Sequence, residues 1–180
     1  MSETPNTPSL QLTALAVTYV RTLAAAVPGG GHDLLGDVLR LLPPIYTALL
    51  TIRPEGLGAE DWDEYESGAI AAAMDEEQYD ELRNRLAAIL GDYDMYLDTQ
   101  SEDMRYSDTP IAVSLSEQLA DIYQSMADFA ATMAEIADYN TPEVMSDMKS
   151  RFHEYLSDTI CSALRTANGL YQAKVLQSEE

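Results

Sequence analysis

The sequence is poor in cysteine and histidine, the residues on which many reactive sites depend. Cys161 is the only cysteine among 180 residues, so neither a disulfide within the chain nor a cysteine-based zinc site can form. Neither His32 nor His153 follows a glutamate by three residues, as the histidines of di-iron helix bundles do. No Gly-x-Ser-x-Gly motif marks a catalytic serine. These absences leave nucleophilic catalysis without a recognisable frame, and the scarcity of cysteine suits a reducing cytoplasm.

The sequence also lacks a long uninterrupted apolar run. The stretch at 10–27 is interrupted by Arg21, and the stretch at 34–52 by charged residues and two prolines. Neither is a clean run of about 20 apolar residues, the length that crosses a membrane. Residues 1–9 are polar and contain proline, unlike the start of a signal peptide. We therefore expect a soluble protein with no membrane span.

Basic residues are scarce: the chain carries 10 of them against 31 acidic residues, a net charge of −21. Such a charge repels phosphate backbones, so nucleic-acid binding is disfavoured. It favours a basic protein partner, a cation site or mimicry of a nucleic acid. The acid is concentrated between residues 60 and 108, where sixteen Asp and Glu stand against three Arg. A solvated acidic face that keeps the protein soluble is the simplest explanation of this block.

Helix start and stop signals are plentiful, and together they predict an all-α fold. Threonine caps a helix well and proline fits its first turn, so a Thr-Pro pair predicts a helix start. Such pairs occur at 7–8, 109–110 and 141–142. Asp75 followed by Gln78 predicts a capping box for a helix that ends near Leu90, before Gly91. No alternating strand pattern is found, and we predict a compact bundle of five to seven helices with two long C-terminal helices.

The expected boundaries follow from these signals and from the apolar spacing. The expected helices cover 8–27, 33–42, 45–52, 60–71 and 75–90, then the stripe from Leu115 to Ile136, then 142–173. Pro43 and Pro44 should kink or split the second helix from the third, because two amide donors are missing. Tyr93 to Leu97 is expected to add one helical turn. We expect one all-helical domain at 9–174 between flexible tails at 1–8 and 175–180.

The most regular element carries apolar residues at alternating spacings of four and three. They are Leu115, Leu119, Ile122, Met126, Phe129, Met133 and Ile136. This spacing places them on one face of a long helix, beside a second face of mostly small residues. We expect neighbours to pack this helix on two sides and to leave one polar wedge. The wedge contains Glu117, Asp121, Gln124 and Asp128.

Four stretches of the sequence resemble one uncharacterised bacterial family. They are RLLPPIYTALL at 40–50, DEEQYDELRNRLAAILGDYDMYLD at 75–98, MRYSDTPIAVSLSEQLADIYQSMADF at 104–129 and SRFHEYLSDTICSALR at 150–165. The family is the all-helical one filed as domain of unknown function 5063, and the resemblance spans roughly residues 14–172. It implies an all-helical fold and carries no activity that can be transferred.

Carboxylates on two successive helices allow a metal-dependent alternative. EEQYDE at 76–81 and EQLAD at 117–121 resemble the paired motifs with which the all-α nucleoside-triphosphate pyrophosphohydrolases bind Mg²⁺, although the spacing differs. In this interpretation the carboxylates bind Mg²⁺ or Mn²⁺, which favour carboxylate oxygen. The candidate ligands are Glu77, Glu81, Glu117 and Asp121. In the main interpretation the same residues form a solvated or interhelical polar seam and bind no cofactor.

Tyrosine is the abundant aromatic residue, with eleven copies against two phenylalanines and one tryptophan. Tyrosine is favoured at protein interfaces, so we predict a partner-binding surface near the acidic block. Its candidate residues are Tyr96, Arg105, Tyr106, Glu117, Asp121 and Gln124. The main functional prediction is a soluble, cytoplasmic, non-enzymatic module whose acidic middle third binds a basic protein or regulates an assembly. The alternative is the Mg²⁺- or Mn²⁺-dependent nucleotide hydrolase.

Overall fold

The computed structural model describes residues 7–31, 33–53, 68–98, 109–136 and 141–177. Its elements are α1 Thr7–Ala25, α2 Leu34–Thr51, α3 Glu76–Leu90, β1 Met95–Asp98, β2 Ile111–Ser114, α4 Leu115–Glu135, α5 Thr141–Arg151 and α6 Ser157–Gln177. The fold is largely helical, with one small sheet, and it confirms the predicted fold class. The predicted division into two tails and one domain stays a prediction.

The helix α4 is central, and α1, α3, α5 and α6 all pack against it. Its apolar stripe forms the core as predicted. The fully buried members are Leu115, Leu119, Ile122, Met126 and Phe129. Tyr19 of α1 is also fully buried, and its hydroxyl donates to the Leu119 carbonyl oxygen at 3.1 Å. The one polar group of this large side chain is therefore satisfied inside the core.

The helix α2 starts at the predicted position but continues beyond its predicted end. Asp33 caps it by accepting the Gly36 amide proton at 3.0 Å. Pro43 and Pro44 lie inside the helix, which runs unbroken to Thr51, so the predicted split at these prolines is wrong. Packing against α1, α5 and α6 outweighs the amide donors that the prolines lack. The fully buried side chains around the prolines are Leu42, Ile45 and Leu49.

By length and composition, α2 is also apolar enough to cross a membrane, with a mean hydropathy of 1.3 over Leu34–Thr51. In the fold 44% of this window is buried, as in a core helix. Lys149 of α5 donates to the Leu49 and Leu50 carbonyl oxygens at 3.1 and 2.8 Å, and burial lowers the pKa of this lysine. The absence of a membrane span stays a prediction.

The helix α3 begins with the predicted capping box. The Asp75 carboxylate accepts from the Gln78 amide at 2.8 Å, and the Gln78 side-chain oxygen accepts from the Asp75 amide at 3.0 Å. Residues 68–74, just before it, are not helical, so the helix expected at 60–71 is wrong for its last four residues. Residues 60–67 lie outside the described part of the chain. The amides of Ala69, Ile70, Ala71 and Ala73 bond to side chains of α4 and α5.

A two-stranded antiparallel sheet joins α3 to α4, and the sequence analysis missed it. Met95 pairs with Ser114 at one end of the ladder, and Asp98 pairs with Ile111 at the other. The helical turn expected at 93–97 is wrong, because β1 occupies most of it. Each strand has only four residues, which is too short for an alternating pattern to stand out in a sequence.

The start of α4 differs from the prediction as well. The Thr-Pro pair at 109–110 does not open a helix, and α4 begins at Leu115 after β2. Ser114 caps α4, and the Asp94 carboxylate accepts from the Ser116 amide at 2.7 Å and from its hydroxyl at 2.9 Å. The strand pairing therefore places two polar side chains at the helix start, where free amides need acceptors.

The last two helices form one path, in agreement with the long helix predicted at 142–173. The helix α5 begins at Thr141, and one π turn, Phe152–Leu156, joins it to α6. The turn places Phe152 edge-on to Tyr46 of α2, with ring centroids 5.2 Å apart. The aromatic contact fixes the junction against the core.

Candidate interaction surface and polar seam

The outer face of the β1–β2 hairpin is apolar and exposed. Side chains alternate along a strand, so Met95 and Leu97 both point away from the core, and they are 59% and 67% exposed. Ala112 of β2 pairs with Leu97 and is exposed too. Tyr93, just before β1, is 47% exposed. These four residues are referred to below as the hairpin face.

The inner face of the hairpin is held against α4 and α6 by hydrogen bonds that polar side chains of β1 make. The Tyr96 hydroxyl donates to the Gln118 side-chain oxygen at 2.9 Å and lies 2.8 Å from the Ser162 hydroxyl. Asp98 is buried and accepts from Arg165 at 2.8 Å and from Ser162 at 3.2 Å. Hydrogen bonds between charged groups are strong, so the hairpin is anchored and its outer face is held outward.

The structure describes four of the six predicted partner-binding residues, and the surface they were predicted to form stays a prediction. Tyr96 turns inward, as just described. Arg105 and Tyr106 lie outside the described residues. Gln124 is partly exposed on α4, and Glu117 is exposed in the first turn of the same helix. The sequence analysis pointed to the hairpin region through its tyrosines and missed Met95 and Leu97, whose exposure depends on the strand pairing.

Asp121 lies in a seam between α3 and α4, where the Tyr79 hydroxyl donates to its carboxylate at 2.6 Å. Burial raises the pKa of Asp121, the hydrogen bond from Tyr79 lowers it, and repulsion by Glu117 raises it, with a net rise. Burial and the same hydrogen bond raise the pKa of Tyr79 as well. The Asp121 carboxylate is therefore partly desolvated and already committed to one donor.

The structure does not gather the four carboxylates of the metal-dependent alternative. Glu77 and Glu81 are exposed on α3, and Glu117 is exposed on α4 close enough to repel Asp121. Within the described ranges, no group of three or more His, Cys, Asp or Glu side chains is placed to hold a metal ion. The arrangement around Asp121 is thus a helix-to-helix hydrogen bond with a nearby like charge.

Two aspartates that the sequence analysis did not propose as site residues carry out a structural task. The buried Asp128 of α4 accepts from the Ala73 amide at 2.8 Å. The buried Asp147 of α5 accepts from the Ala69 and Ile70 amides at 2.8 and 3.1 Å. They bind the extended segment 68–74 along its backbone. The helical wheel places Asp128 on the polar wedge of α4, but no local pattern shows that Asp128 or Asp147 bonds to this distant segment.

Comparison with known proteins identifies the fold described above. The DUF5063 family, described as a domain of unknown function, matches residues 6–171. The chain belongs to the DUF5063 family. The resemblance drawn from its sequence is therefore confirmed. The curated proteins contain no match to this DUF5063 chain.

A solved structure shares the fold of this DUF5063 chain. It is the crystal structure of protein BF1032 from Bacteroides fragilis, a target of the Northeast Structural Genomics Consortium. The two chains are 19% identical, their TM-score is 0.69, and the match covers 92% of each. At this level of identity the likeness shows the fold alone, so function must be argued from the surfaces and cavities of this chain.

Proposed function

We propose that this DUF5063 protein is a non-enzymatic, cytoplasmic interaction module that binds a basic, partly apolar segment of another protein across the hairpin face. The observation that carries the proposal is the exposure of Met95 and Leu97 on a hairpin whose inner face is anchored to α4 and α6. Neighbouring exposed apolar side chains on a rigid element are typical of a protein interaction site.

The charge of the chain favours a basic partner over a second copy. Two copies that each carry −21 repel one another, whereas a basic segment is attracted and steered toward the surface. Asp92 is exposed directly before Tyr93 of the hairpin face, and Glu117 is exposed just after β2. Acidic side chains therefore accompany the apolar ones, as a partner with alternating lysine and apolar residues would require.

The proposal is tested with three fluorescent peptides of equal length. One alternates lysine with leucine, the second alternates glutamate with leucine, and the third alternates lysine with serine. We expect only the first to bind tightly, because it alone matches both the charge and the apolar face. Its affinity should fall as NaCl is added, since charges more than about 10 Å apart are screened at 0.1 M salt.

Two matched double variants test whether the lysine–leucine peptide binds at the hairpin face. Met95→Ser with Leu97→Ser should weaken binding of the lysine–leucine peptide by about tenfold or more, because two apolar contacts are lost. The control is Leu10→Ser with Leu50→Ser, which alters two leucines of α1 and α2 that are each 54% exposed. Both double variants keep the net charge. Equal affinity in the two would overturn the proposal, since binding would then depend on charge alone.

Light scattering after size exclusion separates a foreign partner from a second copy. We expect the wild type to be monomeric at micromolar concentration. A dimer that Met95→Ser with Leu97→Ser dissociates would show that a second copy occupies the hairpin face, and the proposed basic partner would be rejected.

A further inference from the structure

A cavity of about 190 Å³ opens between α3, α4 and the extended segment 68–74. Its lining is mixed in character. The residues that matter for its chemistry are Met74, Leu82, Ala127, Glu81, Arg85 and Tyr123. One wall is fixed in place, because the Ala73 amide donates to the buried Asp128 carboxylate at 2.8 Å. The side of the cavity that residues 73 and 74 form is therefore held against α4.

The cavity is lined by Arg85, whose contacts differ from those of several other arginines. Several other arginines form ion pairs with aspartates. These pairs are Arg83 with Asp80, Arg151 with Asp128 and Arg165 with Asp98. The Nε atom of Arg85 is enclosed and has no hydrogen-bond partner among the residues that the structure describes. Because Nε is closed to solvent, an acceptor on a ligand in the cavity would bond to the other N–H groups of this guanidinium, which carries five donors in all.

The charges around Arg85 define the class of ligand. A guanidinium binds carboxylate and phosphate groups through paired hydrogen bonds. Glu81 lines the same cavity, and the whole chain carries −21, so a phosphate with two negative charges is repelled. A ligand with one carboxylate and one ammonium group meets both Arg85 and Glu81 favourably. An α-amino acid carries these two groups on one carbon atom.

The size and the apolar lining narrow the class further. A water-sized group needs about 10–15 Å³, so the cavity holds on the order of a dozen non-hydrogen atoms. Pockets for drug-sized molecules start at about 300 Å³, well above this volume. Met74, Leu82 and Ala127 offer apolar contact, and burial raises the pKa of the Tyr123 hydroxyl, which indicates a partly desolvated site. A single amino acid with an apolar side chain fits these limits.

We propose that this cavity binds a free amino acid with an apolar side chain, whose carboxylate bonds to Arg85 and whose ammonium group bonds to Glu81. The proposal does not rest on the hairpin face, and either one can fail while the other holds. Neither charged residue is needed for the core, since Glu81 is exposed and Arg85 is partly exposed.

Calorimetric titration with L-leucine, L-methionine and L-phenylalanine tests the class of ligand. Each amino acid that binds is compared with two partial ligands, one that lacks the carboxylate and one that lacks the amino group. For leucine these partial ligands are isopentylamine and 4-methylpentanoate. We expect each of these partial ligands to bind at least about tenfold more weakly, since each loses one charged pair. Absence of heat with all three amino acids at millimolar concentration would overturn the proposal. Equal binding of the amine or the acid would overturn the paired recognition.

Two pairs of variants locate the site on α3. Arg85→Gln should abolish binding, whereas Arg83→Gln, two residues away and paired with Asp80, should leave it unchanged. Glu81→Gln should weaken binding about tenfold, whereas Glu77→Gln, also exposed on α3, should not. When the amino acid is added to the wild-type protein, the chemical shifts of the Ala73, Met74 and Tyr123 amides should change. Binding that survives Arg85→Gln, or shifts confined to other regions, would refute the site.

Discussion

The Asp121 carboxylate accepts a hydrogen bond from Tyr79, which couples α3 to α4, and its burial makes the stability of the protein depend on pH. The folded-state pKa of Asp121 lies above its ordinary value of 3.8, so the folded chain binds this proton more tightly than the unfolded chain does. The contribution of Asp121 is therefore fully present below pH 3.8 and is lost as the pH rises through the higher folded pKa. Above that pH the carboxylate is charged, and Tyr79 supplies its stabilising donor.

Replacement of this donor should change both the titration and the stability. We expect Tyr79→Phe to raise the pKa of Asp121 further, because the hydrogen bond is the one interaction that lowers it. At neutral pH the free energy of unfolding should fall by about 1 kcal/mol, less than is usual for a hydrogen bond to a charged group, because the site is partly exposed to solvent. Carboxyl carbon chemical shifts and urea unfolding measure the two effects.

A double-mutant cycle provides the control for this pair. In an Asp121→Asn background the charged acceptor is gone, so Tyr79→Phe should cost less there than in the wild type. Equal costs in both backgrounds, or an unchanged pKa of Asp121 in Tyr79→Phe, would show that the hydrogen bond does not stabilise the charged carboxylate.

The fate of single acidic residues shows where sequence reasoning succeeds. A helical wheel placed Asp121 and Asp128 on one polar wedge of α4, and both do make polar contacts there. The helical wheel could not distinguish the roles of Asp121 and Asp128, because each role depends on the part of the fold that packs against that side chain. Asp121 meets a tyrosine of the next helix, whereas Asp128 binds the backbone of residue 73, which is distant in the sequence.

At the scale of elements, the extended segment 68–74 is held by side chains where a helix or strand would supply backbone partners. Asp147 accepts from the amides of Ala69 and Ile70, and the Thr132 hydroxyl oxygen accepts from the Ala71 amide at 3.2 Å. Ile70 is buried in the core. Segment 68–74 forms one side of the cavity that we propose binds an amino acid. The hydrogen bonds that hold the segment therefore also maintain the cavity.

Loss of the Asp147 acceptor should release this segment. We expect Asp147→Ala to lower the free energy of unfolding by about 2–4 kcal/mol, because the buried Ile70 amide and the half-buried Ala69 amide both lose this acceptor. Amide hydrogen exchange at Ala69 and Ile70 should accelerate. Asp147→Asn keeps an acceptor oxygen in the same place and should cost much less. Asp158→Ala, which removes an exposed acid of α6, serves as the control for charge.

The helices were predictable because their signals are local, whereas the hairpin depends on partners far apart in the chain. Asp75 and Gln78 are three residues apart, and the capping box they form was foreseen. Met95 pairs with Ser114, nineteen positions later, and two strands of four residues carry too little pattern to indicate this. The hairpin face was missed for the same reason, since only the strand pairing shows that Met95 and Leu97 share one outward side.

At the scale of the whole molecule, the net charge of −21 affects every proposal. Mutual repulsion of carboxylates opposes compaction, and salt screens it. The same charge opposes association of two copies through the hairpin face and favours a basic ligand there. Any cation added to the protein will therefore stabilise it to some degree by screening, whether or not a defined cation site exists.

A titration with divalent cations decides whether the metal-dependent hydrolase interpretation survives. We expect Mg²⁺, Mn²⁺ and Ca²⁺ to raise the melting temperature slightly and equally, with or without nucleoside triphosphates. The reason is that the described residues place no group of three or more candidate ligands together. Asp121→Asn should behave like the control Asp92→Asn, which removes the same charge from an exposed position.

Strong stabilisation by Mg²⁺ or Mn²⁺ alone would contradict this expectation. Ligand at 100 times its dissociation constant adds about 2.7 kcal/mol to the free energy of unfolding, a shift of several degrees in a chain of this size. Such a rise with Mg²⁺ or Mn²⁺ alone, lost in Asp121→Asn and kept in Asp92→Asn, would require the chain to rearrange around the ion. Glu77, Glu81, Glu117 and Asp121 would then have to come together on binding. Hydrolysis of nucleoside triphosphates would become the activity to measure, and the interaction module would no longer account for the protein.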